Sequence, residues 1–87
     1  MRHARPEDLD RLEDVLAELR ALPGLTERSR GTFYRKSRAF LHFHEDPKGL
    51  FADLRDAADR DFDRIDVTGP AGRAELIALA RQRLAAR

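Results

Sequence analysis

The chain contains no cysteine, which excludes a disulfide framework and any thiolate metal site, and with them the small secreted scaffolds that bridges hold together. The default compartment of such a chain is the cytosol. No stretch approaches the roughly 18 consecutive apolar residues of a membrane span, and the opening MRHARPEDLD turns acidic without an apolar h-region, so a cytoplasmic protein with no membrane partner is expected. The five glycines, at 24, 31, 49, 69 and 72, follow neither the G-x-G-x-x-G nor the Walker spacing, which removes those routes to nucleotide binding. Asp56, Asp59, Asp61, Asp63 and Asp66 have no glycine at the sixth and no glutamate at the twelfth position of a calcium loop, so they read as a solvated acidic segment. Lysine is nearly absent: Lys36 and Lys48 stand against fifteen arginines. With alanine so abundant, this skew follows GC-rich codon usage, and the arginine count by itself carries no functional weight.

What is present fits one small domain over residues 1–87. A chain of this length hides only about 60–65% of its unfolded surface and has no room for a second core. The net charge of +1 conceals a division into blocks. Residues 1–25 sum to −2, residues 26–44 to +4, residues 45–66 to −4 and residues 67–87 to +3.

Leu9, Leu12, Val15, Leu16, Leu19 and Leu22 recur at three- and four-residue steps, the stripe of an amphipathic helix over about 6–22. Pro6 suits its first turn and Pro23-Gly24 ends it. From Thr32 the period changes to two and aromatics enter, which predicts strands at 32–36 and 39–44 around a tight turn. Asp46-Pro47-Lys48-Gly49 has type I turn chemistry and leads into a strand at 50–55. A loop at 56–61 precedes a short strand at 64–67, and Thr68 is placed to cap a last helix with Leu76, Ile77, Ala80 and Leu84 on its buried side. The fold class expected is α+β: an antiparallel sheet of three to four strands covered on one face by an N-terminal and a C-terminal helix.

Register decides which side chains share a face. A two-residue turn in the first hairpin groups Tyr34, Ala39, Leu41 and Phe43. In the second, a two-residue Pro47-Lys48 turn sets Phe43 against Ala52, His44 against Phe51 and His42 against Asp53, whereas a three-residue bulged turn would invert the third strand. The two-residue turn is chosen because it leaves one face uniformly apolar. The helix-covered face is then Tyr34, Leu41, Phe43, Leu50, Ala52 and Leu54. The opposite face carries Phe33, Arg35, Phe40, His42, His44, Phe51, Asp53 and Arg55. Three phenylalanines on an open face mark a partner-binding surface, for a second copy, another protein or a nucleic acid.

Two further constellations carry chemistry. His42 and His44 stand about 7 Å apart along one strand face, and with Asp53 opposite His42 they form the two-histidine, one-carboxylate set of zinc and non-haem iron sites. The ordinary alternative is a pair of sheet-surface histidines, one held by a carboxylate that raises its pKa. Arg28, Arg30, Arg35, Lys36 and Arg38 interleave with Phe33, Tyr34 and Phe40, the residue mix of an exposed sheet that neutralises phosphates and stacks bases. The near-neutral total favours a solvated hairpin paired with the acids of 45–66. No serine or cysteine nucleophile stands beside the histidines, so no catalytic residue is assigned and no cofactor is called for.

The run LPGLTERSRGTFYRKSRAFLHFHEDPKGLFADLR resembles a group of short uncharacterised bacterial proteins with a TFYxKSxAFLHFHEDP-type motif. More distantly it is similar to the MmcQ/YjbR-like proteins and to the luciferase-like domain family of unknown function. Leu22-Pro23-Gly24 after the first helix, an aromatic strand with Phe33, and a following strand with His42 and His44 carry that resemblance. It implies a helix-flanked antiparallel sheet and, through the DNA-binding description often given to the MmcQ/YjbR-like proteins, a nucleic-acid role. The chain departs from them in length and in having Lys36-Ser37 where their hairpin turn has a glycine pair. The reading that joins these observations is a non-catalytic binding module acting through its open sheet face, with metal binding by His42, His44 and Asp53 as the alternative.

Overall fold

The computed structural model describes residues 2–86 and is α+β, with three helices and a fully antiparallel sheet among those residues. In chain order the elements are β1 (Arg2–His3), α1 (Pro6–Arg11), α2 (Glu13–Arg20), β2 (Thr26–Ser29), β3 (Thr32–Arg35), β4 (Arg38–Asp46), β5 (Gly49–Arg55), β6 (Phe62–Asp66) and α3 (Pro70–Ala85). Strands β2 to β6 form a meander in sequence order, and β1 pairs with β4. Because β5 already occupies one edge of β4 as far as Asp46, β1 lies on the other edge and continues the row that β3 begins.

The sheet therefore has more strands than the three to four expected. Both additions are short: β2 is the polar run TERS, and β1 is two residues that pair Arg2 with Glu45 and His3 with His44. Neither carries the apolar alternation that betrays a strand in sequence. The expected last strand at 64–67 begins two residues earlier, at Phe62. The N-terminal helix is broken at Leu12, whose φ of −105° and ψ of 10° leave the helical region. Its apolar stripe continues across the break, with Leu12, Leu16 and Leu19 fully buried. At the start of α1, the Asp8 carboxylate accepts from the Arg5 backbone N–H at 2.9 Å.

Gly69, rather than Thr68, is the N-cap of α3. The Thr68 hydroxyl is occupied elsewhere, accepting the Leu50 N–H at 3.0 Å and so tying the start of α3 to β5. Gly72 allows the close approach this requires, since a Cβ there would stand 1.8 Å from the Asp66 carbonyl oxygen. One hydrophobic cluster unites the helices with the covered face of the sheet: Leu12, Leu16, Leu19, Leu41, Phe43, Leu54, Val67 and Leu76 all belong to it.

The second hairpin has the expected register, with His42 opposite Asp53, Phe43 opposite Ala52 and His44 opposite Phe51. The first hairpin does not. Arg35 pairs Arg38 and Tyr34 pairs Ala39, but Phe33 pairs Leu41, leaving Phe40 as an extra residue on β4. Such a bulge shifts the in–out alternation by one residue. Phe33 and Phe40 are consequently 1% and 4% exposed in the core, and neither belongs to the open face. Tyr34, expected in the core, is half-buried under the Arg28 guanidinium at 4.0 Å from its ring centroid.

Candidate metal centre

The long paired run of β4 and β5 brings His42, His44 and Asp53 together. On an antiparallel ladder the residue opposite and the residue two positions along share one face, so the pairing of His42 with Asp53 sets His44 beside both. Asp53 Oδ2 lies 3.5 Å from His42 Nε2 and 2.9 Å from His44 Nε2. The donor atoms of the three residues all fall within 4.8 Å of one another.

The close His44–Asp53 approach is not a hydrogen bond. His44 Nε2 is buried yet has no hydrogen-bond partner, although the Asp53 carboxylate oxygen stands 2.9 Å away. A polar atom removed from water without a partner costs about 1–3 kcal/mol. Nε2 is thereby left facing a partner that the protein itself does not supply.

Strand β6 supplies the support. Arg64, opposite Asp53, donates from Nε to Oδ1 at 2.9 Å and from Nη2 to Oδ2 at 3.1 Å. Burial pulls the Asp53 pKa upward, but the Arg64 hydrogen bonds and charge, with the two imidazoles, outweigh it and hold the carboxyl below its usual range. His42 moves in the direction opposite to that expected from its carboxylate. Burial and then the neighbouring His44 lower its pKa, and the charge of Asp53 does not compensate. The site thus combines an ionised carboxylate with an imidazole biased towards its neutral, lone-pair-bearing form, the protonation states metal ligation requires.

Three contributors were not foreseen. His3, delivered by β1, stacks on His44 with ring centroids 5.1 Å apart and reaches 6.1 Å from His42. Phe62 presents its edge to His42 at 5.0 Å, and Arg64 is the partner just described. Arg64 and Phe62 could have been found from the alternation of β6 had its start been read at 62. His3 gave no signal, because a two-residue strand has no period. Phe51 is half-buried opposite His44 and completes this part of the open face.

No family model, curated protein or solved structure matches this chain. The geometry alone therefore carries the reading of the site.

The cationic residues of the first hairpin divide into two groups. Arg30 is engaged by Asp10 and Glu13, each at 2.8 Å, and Arg28 lies over Tyr34. Arg35 points to the end of α3, where its guanidinium approaches the carbonyls of Arg83 and Leu84 at 3.5 and 3.4 Å. Lys36 and Arg38 stand at the β3–β4 turn, and Arg38 pairs with Asp59 at 3.3 Å. The five residues do not share one surface.

Proposed function

We propose that the protein is a binding module for a first-row divalent metal ion of the zinc class, held on the open sheet face by His42, His44 and Asp53. The observation that carries this reading is the buried His44 Nε2 without a hydrogen-bond partner, beside an ionised carboxylate and a second imidazole. The spacing supports it: ligands about 2.0–2.1 Å from a tetrahedral ion stand about 3.3 Å apart, and the two Nε2–Oδ2 separations of 2.9 and 3.5 Å bracket that edge. Arg64 has the position of an outer-shell residue, fixing Asp53 through both oxygens while Oδ2 also faces the two imidazoles. The reading takes up the alternative expected from the sequence, with an ion rather than a macromolecule as the occupant of this face. An apolar partner is less well served, since two of its three phenylalanines are in the core.

The test is metal binding by protein purified without a histidine tag. Zinc titration monitored by calorimetry should give one site per chain with proton release, and Co²⁺ should develop the visible bands of a tetrahedral nitrogen–oxygen site. His44→Ala and Asp53→Ala should each abolish both signals. Unchanged zinc affinity in the His42→Ala, His44→Ala double variant would overturn the reading.

A further inference from the structure

At the other end of the sheet a cleft of about 350 Å³ opens between the β3–β4 turn, the loop after β5 and the last turn of α3. Arg35, Lys36, Arg38, Arg55 and Arg83 line it, with Asp56 and Asp59 as the acidic members and Phe40 and Ala39 as apolar wall. We propose that this cleft binds a small phosphomonoester, with the phosphate at the Lys36–Arg38 turn and the organic part against the half-buried Ala39.

Charge comes first. Five cationic side chains face two carboxylates, and even with Arg83 paired to Asp63 just outside the positive surplus suits a phosphate dianion better than a single carboxylate. The two acids offset part of that charge but leave the cleft positive. Asp56 accepts the Arg60 backbone N–H at 3.0 Å and so closes its own loop, while Asp59 is shared between Arg38 at 3.3 Å and Arg55 at 3.6 Å.

The guanidiniums are also set in place before any ligand arrives. Arg55 donates twice to the Ala39 carbonyl, at 3.0 and 2.7 Å, and Arg83 donates to the Arg55 carbonyl at 2.9 Å and pairs with Asp63 at 2.9 Å. Ordering long cationic side chains is a main cost of anion capture, and here the fold has already met it. Lys36 is the exception: among the described residues its ammonium has neither an ion pair nor a hydrogen bond.

Backbone geometry singles out the same place. Among the described residues only two non-glycine positions have positive φ, Lys36 at 57° and Asp59 at 61°, and both line this cleft. Left-handed backbone at a lysine costs about 1–2 kcal/mol, and such strain gathers at binding sites. A volume of about 350 Å³ lies near the lower end of the roughly 300–1,000 Å³ of small-molecule pockets. That is room for one nucleotide-sized monoester.

Calorimetric or amide-shift titration should compare inorganic phosphate, a nucleoside 5′-monophosphate and the parent nucleoside. The monophosphate should bind best, phosphate more weakly and the nucleoside not at all. Lys36→Ala and Arg38→Ala, both at exposed positions of a turn, should each weaken the monophosphate about tenfold, the loss of one charge-assisted contact. His44→Ala should leave it unchanged, which separates this site from the metal centre. Equal binding of nucleoside and monophosphate, unaltered affinity in the Lys36→Ala, Arg38→Ala double variant, or tighter binding of an oligonucleotide without terminal phosphate would overturn the proposal.

Discussion

The two faces of the sheet use the same kinds of residue for different ends. On the helix-covered face Phe33, Phe40 and Phe43 are packed under leucines from all three helices, with no titratable group among them. On the open face Phe51 and Phe62 stand half-buried among three histidines, Asp53 and Arg64. Aromatic rings on the first face provide volume; those on the second exclude water from a polar cluster. Low dielectric is what turns the His42–His44–Asp53 arrangement from solvated side chains into a biased one, because burial is the first cause of the lowered His42 pKa.

The largest effect should come from the residue that alternation assigns to the wrong face. Phe33→Ala removes a ring that is 1% exposed and should cost about 3–5 kcal/mol in denaturant unfolding. Phe51→Ala, on the open face, should cost less than half of that. Equal losses would erase the distinction between the faces, and a near-neutral Phe33→Ala would return that ring to the open side.

That contrast also marks what was legible in the sequence. Helix α3, the stripe of α1 and α2, and the β4–β5 hairpin could be read because their periods are long and their turns have strong chemistry. His42 opposite Asp53 followed once the two-residue turn, which keeps one face uniformly apolar, was preferred to the bulged one. The first hairpin failed at one residue. The bulge at Phe40 leaves no mark in composition, yet it exchanges Phe33 and Tyr34 between faces. His3 was hidden for a different reason: β1 is held by pairing with β4 and by the Arg2–Glu45 ion pair, long-range contacts that no local pattern records.

A smaller effect should come from the buried carboxylate. Asp53→Asn keeps the shape but weakens the paired hydrogen bonds from Arg64, and should cost about 1 kcal/mol, because Arg64 is half exposed and its charge is screened. The pH dependence of the metal-free protein should follow the two groups in sequence. The His42 pKa is lowered from 6.5 in the folded state, so the unfolded chain takes up that proton first. Stability should then decline as pH falls below about 6.5, until the folded-state value is reached. Asp53, lowered from 3.8, contributes stability above that value which is lost as pH falls through its folded pKa. Chemical denaturation between pH 8 and 3 reads both windows (about 6.5 and 3.8 are the upper limits in turn). His42→Gln should flatten the upper window and leave the lower one, whereas a stability that rises between pH 7 and 5 would reverse the sign assigned to His42.

The smallest effect sharpens the comparison at the far end of the sheet, where strain rather than burial is at stake. Lys36 occupies the left-handed region at φ 57° in the β3–β4 turn, a conformation that glycine adopts freely. Lys36→Gly relieves the strain but gives the unfolded chain more conformational freedom, and the two terms partly cancel. The net result should be a gain of about 0.5 kcal/mol in chemical denaturation. Ser37→Gly is the control, because Ser37 has no positive φ to relieve and should lose about 0.5–1 kcal/mol from the entropy term alone. If Lys36 is kept for its ammonium, the variant that gains stability should also lose phosphomonoester affinity, an exchange expected where a residue serves binding at some cost to the fold. A Lys36→Gly protein that is less stable than its parent would show that the turn is not strained, and one that binds the monophosphate as before would show that the ammonium has no part in the cleft.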